Sequence, residues 1–242
     1  MSRDIVGIVG PRLVATVVAF ALAAWALNGL HSHSATGTVR SLAGAIEEGH
    51  EPRTETLDHL DERSADSILA KCGTADLRAL SVVRLKELDL SFARADPTRA
   101  ERAGRDADAA IRKGLSCAPL DGNLWLQLAM LQTARSGPSS TTFDFVRLSH
   151  WIAPSEGKIV RARVNFTSQL FAAGLKEVQP ELRSDIRTLV SFDTPSSIAD
   201  MFFAAPESVR PIYREWIDLL PAKKKSRVVN ALERDGGNLN VR

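Results

Sequence analysis

The sequence predicts an all-α protein, with an N-terminal transmembrane helix followed by stacked antiparallel helix pairs. Three observations carry this prediction. First, a nine-residue phrase occurs twice: Cys117-Ala118-Pro119-Leu120-Asp121-Gly122-Asn123-Leu124-Trp125 returns as Ile152-Ala153-Pro154-Ser155-Glu156-Gly157-Lys158-Ile159-Val160, with the prolines 35 residues apart. A period of about 34 residues marks stacked helix-turn-helix repeats, in which each pair buries its face against the next. Second, Leu13 to Leu30 is eighteen residues without a charge. Third, apolar residues between 66 and 192 recur at helical spacing between Pro- and Gly-marked breaks, with no comparable strand signal.

The elements follow in chain order. Residues 1–10 read as a short cytoplasmic N-terminus and 11–30 as a transmembrane signal anchor. The uncharged run spans roughly 27 Å as a helix, close to the hydrocarbon thickness of a bilayer. Pro11 suits a first helical turn, and Trp25 suits the far membrane interface. Arg3 and Arg12 precede most of the span and no further Lys or Arg comes before Arg40, so the positive-inside bias places everything after residue 30 across the membrane. Two other readings fit less well. A cleaved signal peptide has a shorter apolar core, and the small-x-small triplets at Ala21 to Ala23 and Ala24 to Ala26 lie inside the run rather than after it. A buried soluble helix is rarely apolar on every side at a chain end.

Residues 31–65 read as a juxtamembrane spacer, with a helical portion between Val39 and Ile46. Residues 66–192 read as the repeat domain. In its first helix Leu77, Leu80, Leu85, Leu88 and Phe92 fall within an arc of about 140°, with Val82, Val83 and Leu90 opposite. Asp96-Pro97 breaks that helix. Ala103, Ala107, Ala110, Ile111 and Leu115 then form a small-residue stripe suited to close backbone approach. A second pair follows Pro119 and Asp121 and turns at Ser136-Gly137-Pro138. A third begins near Ser155-Glu156, turns around Gly174 and resumes after Pro180. Residues 193–242 read as C-terminal capping helices divided by Pro206 and Pro221, with Val209, Ile212, Trp216 and Leu219 on one face.

The segment Trp125-Leu126-Gln127-Leu128-Ala129 resembles the first-helix signature of tetratricopeptide repeats, and Ala107 with Ile111 matches the small and large positions of a preceding second helix. Gln132 stands where an aromatic is expected and Thr142 where a small residue is expected. The domain is therefore tetratricopeptide-like, and a non-repetitive helix bundle is the alternative. Pro119, Asp121, Gly122 and Trp125, with Pro154, Glu156 and Gly157, are the repeat's structural positions. The acids at helix starts suit capping and dipole compensation better than a catalytic carboxylate pair.

Cys72 precedes the first domain helix and Cys117 ends the second, so an antiparallel hairpin brings both thiols to one end. Beyond the cytoplasmic membrane such a pair oxidises to a disulfide. Buried free thiols are the alternative.

Other chemistry is thinly represented. The net charge of +2, from 31 basic and 29 acidic residues, gives no field for nucleic acid, and 44% hydrophobic residues suffice for a core. His31 and His33 alternate without a third ligand, so no metal or other cofactor is expected. Ser149-His150 are adjacent on a helix and point about 100° apart. Lys223-Lys224-Lys225-Ser226-Arg227 reads as a solvated face. Asn165-Phe166-Thr167 matches a glycosylation sequon by chance.

The N-terminal anchor, the Cys before a Leu-rich helix at Cys72 to Leu90, Cys-Ala-Pro-x-Asp-Gly-x-Leu-Trp at Cys117 to Trp125, and Leu-Ser-x-x-x-Ala-Pro-x-Glu-Gly at Leu148 to Gly157 together resemble a group of single-pass envelope proteins of Gram-negative bacteria. Lys158 departs from an aromatic common in that group. The resemblance implies an inner-membrane protein with a periplasmic domain and a link to surface polysaccharide production. The expected function is a non-catalytic adaptor that touches membrane lipid through residues 11–30 and binds another envelope protein. The rivals are a carbohydrate-processing or carbohydrate-binding protein, which needs paired carboxylates in an aromatic-lined cleft, and a structural subunit of a membrane complex.

Overall fold

The computed structural model describes Phe20, residues 36–58 and residues 62–239. The remainder of segment 11–30, the pair His31 and His33, and residues 1–10 lie outside the described residues. The described residues are helical and contain no strand. Residues 36–47 are helical (α1), followed by α2 (Thr54–Asp58), α3 (Glu62–Leu69), α4 (Thr74–Ala93), α5 (Pro97–Cys117), α6 (Gly122–Ser136), α7 (Ser140–Ile152), α8 (Gly157–Ala172), a 3-10 turn (Lys176–Val178), α9 (Gln179–Phe192), α10 (Pro195–Ala204), α11 (Arg210–Asp218) and α12 (Ala222–Leu239). No helix among the described residues is long and apolar enough to cross a membrane. Two compact units are present, one ending at Ala103 and the other beginning at Gly104.

In the first unit the stretch expected as a polar spacer is substantially helical and contributes to the core. Val39, Ala43 and Leu57 are buried, Arg40 pairs with Asp76 at 2.6 Å, and Glu51 pairs with Lys86 at 3.3 Å. Apolar side chains spaced four apart bury even in a charged segment when a neighbouring helix supplies counter-ions. The first domain helix, α4, buries Leu77, Leu80, Val83 and Leu88 as its two-faced pattern predicts, but also Ser81, Arg84, Glu87 and Ser91. Arg84 donates to Glu87 at 2.8 Å, and Arg99 reaches the second Glu87 oxygen at 3.2 Å. Phe92, placed on the apolar arc by spacing, is 52% exposed because it lies in the last turn of α4. Asp96 accepts a bond from the Arg99 N–H and caps α5, and Pro97 opens that helix.

The second unit shows the stacking itself. α6 packs along α7 and α8 along α9, while α6 also meets α8 and α7 meets α9. First helices thus stack on first helices and second on second, the arrangement of a repeat array. Each break has a local cause. Gly137 and Gly174 adopt φ of 77° and 95°, the left-handed region that favours glycine. Ser139 and Thr142 form a reciprocal capping box at the start of α7. Thr194 caps α10, with Pro195 at its first position.

The chain turns at residue 193 within one core. A single apolar cluster runs from Val160 and Val164 of α8 through Leu182, Ile186 and Leu189 of α9 to Ile198, Ile212, Tyr213 and Val228 of the last three helices. The predicted C-terminal face is partly realised. Val209 and Ile212 are buried, but Leu219 is 70% exposed because α11 ends at Asp218 and the stripe ends with it. Burial pushes the Tyr213 phenol above its ordinary value, so it stays neutral throughout the physiological range.

Candidate docking surface

The two Ala-Pro phrases sit at the starts of α6 and α8, and their equivalent letters do different physical work. Asp121 is buried and its carboxylate accepts the Asn123 N–H at 3.1 Å and the Leu124 N–H at 3.3 Å. Glu156 occupies the same cap position in α8, but its side chain accepts no cap bond. The extra methylene removes it from the short-chain group that reaches back to the first-turn donors. A Cβ on Gly122 would stand 2.6 Å from the Ala153 Cβ and 3.2 Å from the Ser149 carbonyl, so the start of α6 touches the end of α7 there. Gly157 faces open space. Trp125 donates from its indole to the Pro119 carbonyl at 2.8 Å and lies 5.5 Å, centroid to centroid, from Phe145. Pro154 is exposed.

Beneath this junction lies a buried polar cluster that sequence reasoning did not identify. Arg163 of α8 and Asp185 of α9 are both 0% exposed and form a two-pronged ion pair, at 2.5 Å from Nε and 2.7 Å from NH2. Arg163 also donates to the Ser149 hydroxyl at 3.1 Å and the Ala153 carbonyl at 3.2 Å. His150 Nδ1 lies 2.9 Å from the other face of the pair, at Asp185 Oδ1. Ser149 and His150 therefore belong to one network, although they point apart on α7 and the imidazole does not meet the hydroxyl. A planar guanidinium satisfied by four acceptors holds the end of α7 as a rigid strut. The signal was present in the pattern. Arg163 falls on the stripe of Ile159, Val160, Val164 and Thr167, and Asp185 on the stripe of Leu182, Ile186 and Leu189. A lone cation and a lone anion on apolar stripes of neighbouring helices indicate a buried pair.

The strut leaves two large apolar side chains outside. Trp151 is 77% exposed and Leu120 is 76% exposed. Each lies two residues along the chain from the Gly122–Ala153 contact, and Leu120 follows the Pro119 carbonyl that the Trp125 indole bonds.

The remaining candidates are accounted for structurally. Both cysteines are disulfide-bonded, Cys72 just before α4 and Cys117 as the last residue of α5. Thr167 is fully buried and donates to the Arg163 carbonyl at 2.7 Å, which closes the sequon's hydroxyl inside the core. Lys224 donates to the Ser191 carbonyl and Lys225 pairs with Asp218 at 2.8 Å. The described residues hold no cluster of three metal-ligating side chains. Burial alone would raise the Asp193 carboxyl, but the Arg161 fork at 2.7 Å, the Thr194 N–H and the Ser197 hydroxyl hold it below the usual range. Compared with known families, curated proteins and solved structures, the chain matches none.

Proposed function

We propose that the chain is a non-catalytic adaptor of the bacterial envelope. In this reading residues 11–30 anchor it in the inner membrane with the helical domain in the periplasm, and the Trp151–Leu120 surface receives another envelope protein. The observation that carries the reading is the exposure of Trp151 and Leu120 at a junction held rigid by the Arg163–Asp185 pair. Tryptophan is among the side chains enriched as anchors at the centres of protein interfaces. The principal carboxylates of the second unit support a binding role over catalysis. Asp121 is committed to a cap, Asp185 to Arg163 and His150, and Asp193 to Arg161. The disulfide and the charge bias around residues 11–30 support the periplasmic side. The resemblance to envelope proteins linked with surface polysaccharide suggests assembly or export machinery as the partner.

The test replaces Trp151, and separately the exposed Glu207, with a photo-cross-linking amino acid in intact cells. Adducts at 151 that contain one envelope protein, absent at 207 and lost when Leu120 is changed to Ser, are the expected result. Equal adducts at both positions, or none at 151, overturn the docking surface. Fractionation of the same cells with and without residues 1–30 tests the anchor: the full chain stays with membranes after alkaline extraction, and release of the full chain refutes it.

A further inference from the structure

An open pocket in the second unit stands apart from the docking surface. Pro195 and Ser196 of α10, with Arg227, Asn230, Ala231 and Arg234 of α12, line a space of about 320 Å³. That volume lies at the lower end of ligand sites, roughly 300–1,000 Å³. The α12 positions recur at intervals of three, four and seven, so they form one helix face. Both charged lining residues are cations, and no carboxylate is among them. Arg227 makes no ion pair or hydrogen bond with another described residue, while Arg234 already interacts within the fold. Glu233 and Asp235 flank Arg234 in sequence and Asp193 lies two residues before Pro195; none of the three is among the lining residues, and Asp193 is held in the Arg161 fork.

The chemistry of the wall is that of donors. Arg227 and Arg234 supply planar forks, Asn230 an amide and Ser196 a hydroxyl. The arginines lie two helical turns apart with the amide between them, a longer row of donors than the two oxygens of a carboxylate occupy. A phosphate offers the matching number of oxygens. We propose that this pocket binds a phosphate group, either free or as the phosphodiester of a lipid headgroup. The proposal stands independently of the adaptor reading.

The test is calorimetric titration of the full chain, in detergent at low salt, with two water-soluble probes: inorganic phosphate and glycerophosphoglycerol. Saturable binding of phosphate alone assigns a free phosphate, and preference for the diester assigns a headgroup; either supports the site. Arg227→Gln and Arg234→Gln should each weaken the better probe about tenfold, and Lys223→Gln, on the same helix but outside the pocket, should leave it unchanged. Arg227 is exposed, so its variant should keep the parent's unfolding midpoint. Failure of both probes to saturate, full binding by Arg227→Gln, or an equal loss in Lys223→Gln overturns the proposal.

Discussion

Replacing Asp185 with Asn keeps the shape of the side chain and removes its charge, which isolates the contribution of the pair it forms with Arg163. Both side chains are 0% exposed, so the guanidinium cannot turn to solvent when its counter-ion is lost. Two of its four acceptors are the Asp185 oxygens, and the others are the Ser149 hydroxyl and the Ala153 carbonyl, both neutral. Breaking a buried pair and leaving one charge uncompensated costs about 3–5 kcal/mol. For a chain of this size that lowers the melting temperature by roughly 6–20 °C. Arg163→Met should cost a comparable amount, because it strands Asp185 and removes the donors of Ser149 and Ala153. The double variant Arg163→Met with Asp185→Leu should recover most of the loss, since an apolar pair of similar volume has no desolvation penalty. The assay is urea unfolding followed by helical circular dichroism at neutral pH, with the slope checked for constancy across variants. An Asp185→Asn protein within about 1 kcal/mol of the parent refutes the reasoning. So does a double variant as unstable as the two single losses added together.

Further predictions follow from the same contacts. The disulfide closes a loop of 45 residues, which in the chain-entropy account stabilises by about 4 kcal/mol. Reductant should lower the urea midpoint of the parent and leave a Cys72→Ser, Cys117→Ser protein unchanged; equal sensitivity of both refutes it. Gly122→Ala should destabilise by about 1–3 kcal/mol through overpacking against Ala153 and the Ser149 carbonyl, whereas Gly157→Ala should be neutral or slightly stabilising. Equal effects in thermal unfolding would show that the two phrases are structurally equivalent after all. The Asp193 carboxyl, held below the usual carboxylate range, contributes stability above about pH 4, where the unfolded chain is also ionised, and loses it as pH falls through the folded value. The gap in stability between the parent and Asp193→Asn should therefore narrow on acidification, and a gap independent of pH contradicts the assignment.

Much of this protein was legible in its letters because helices are local objects. Proline, glycine and capping residues act within one turn, so the breaks at Asp96-Pro97, Gly137, Gly174 and Pro195 follow from neighbours in sequence. The repeated phrase and the hairpin logic of Cys72 and Cys117 are likewise short-range inferences, and the helical stacking and the bonded cysteines agree with them. Only the tertiary structure decided which faces are covered. Periodicity orients a side chain about its own helix axis but does not say what packs there. Phe92 and Leu219 lie on predicted stripes yet end in water, while Arg84, Glu87, Arg163 and Asp185 are charged yet buried. The same limit separates the two copies of the Ala-Pro phrase. Gly122 meets the end of a neighbouring helix and Gly157 faces open space, although both follow an Ala-Pro, any residue, acid pattern. The candidate surface at Trp151 depends on that asymmetry, and Arg163 and Asp185 beneath it, 22 residues apart in sequence, become partners only when α8 and α9 lie side by side.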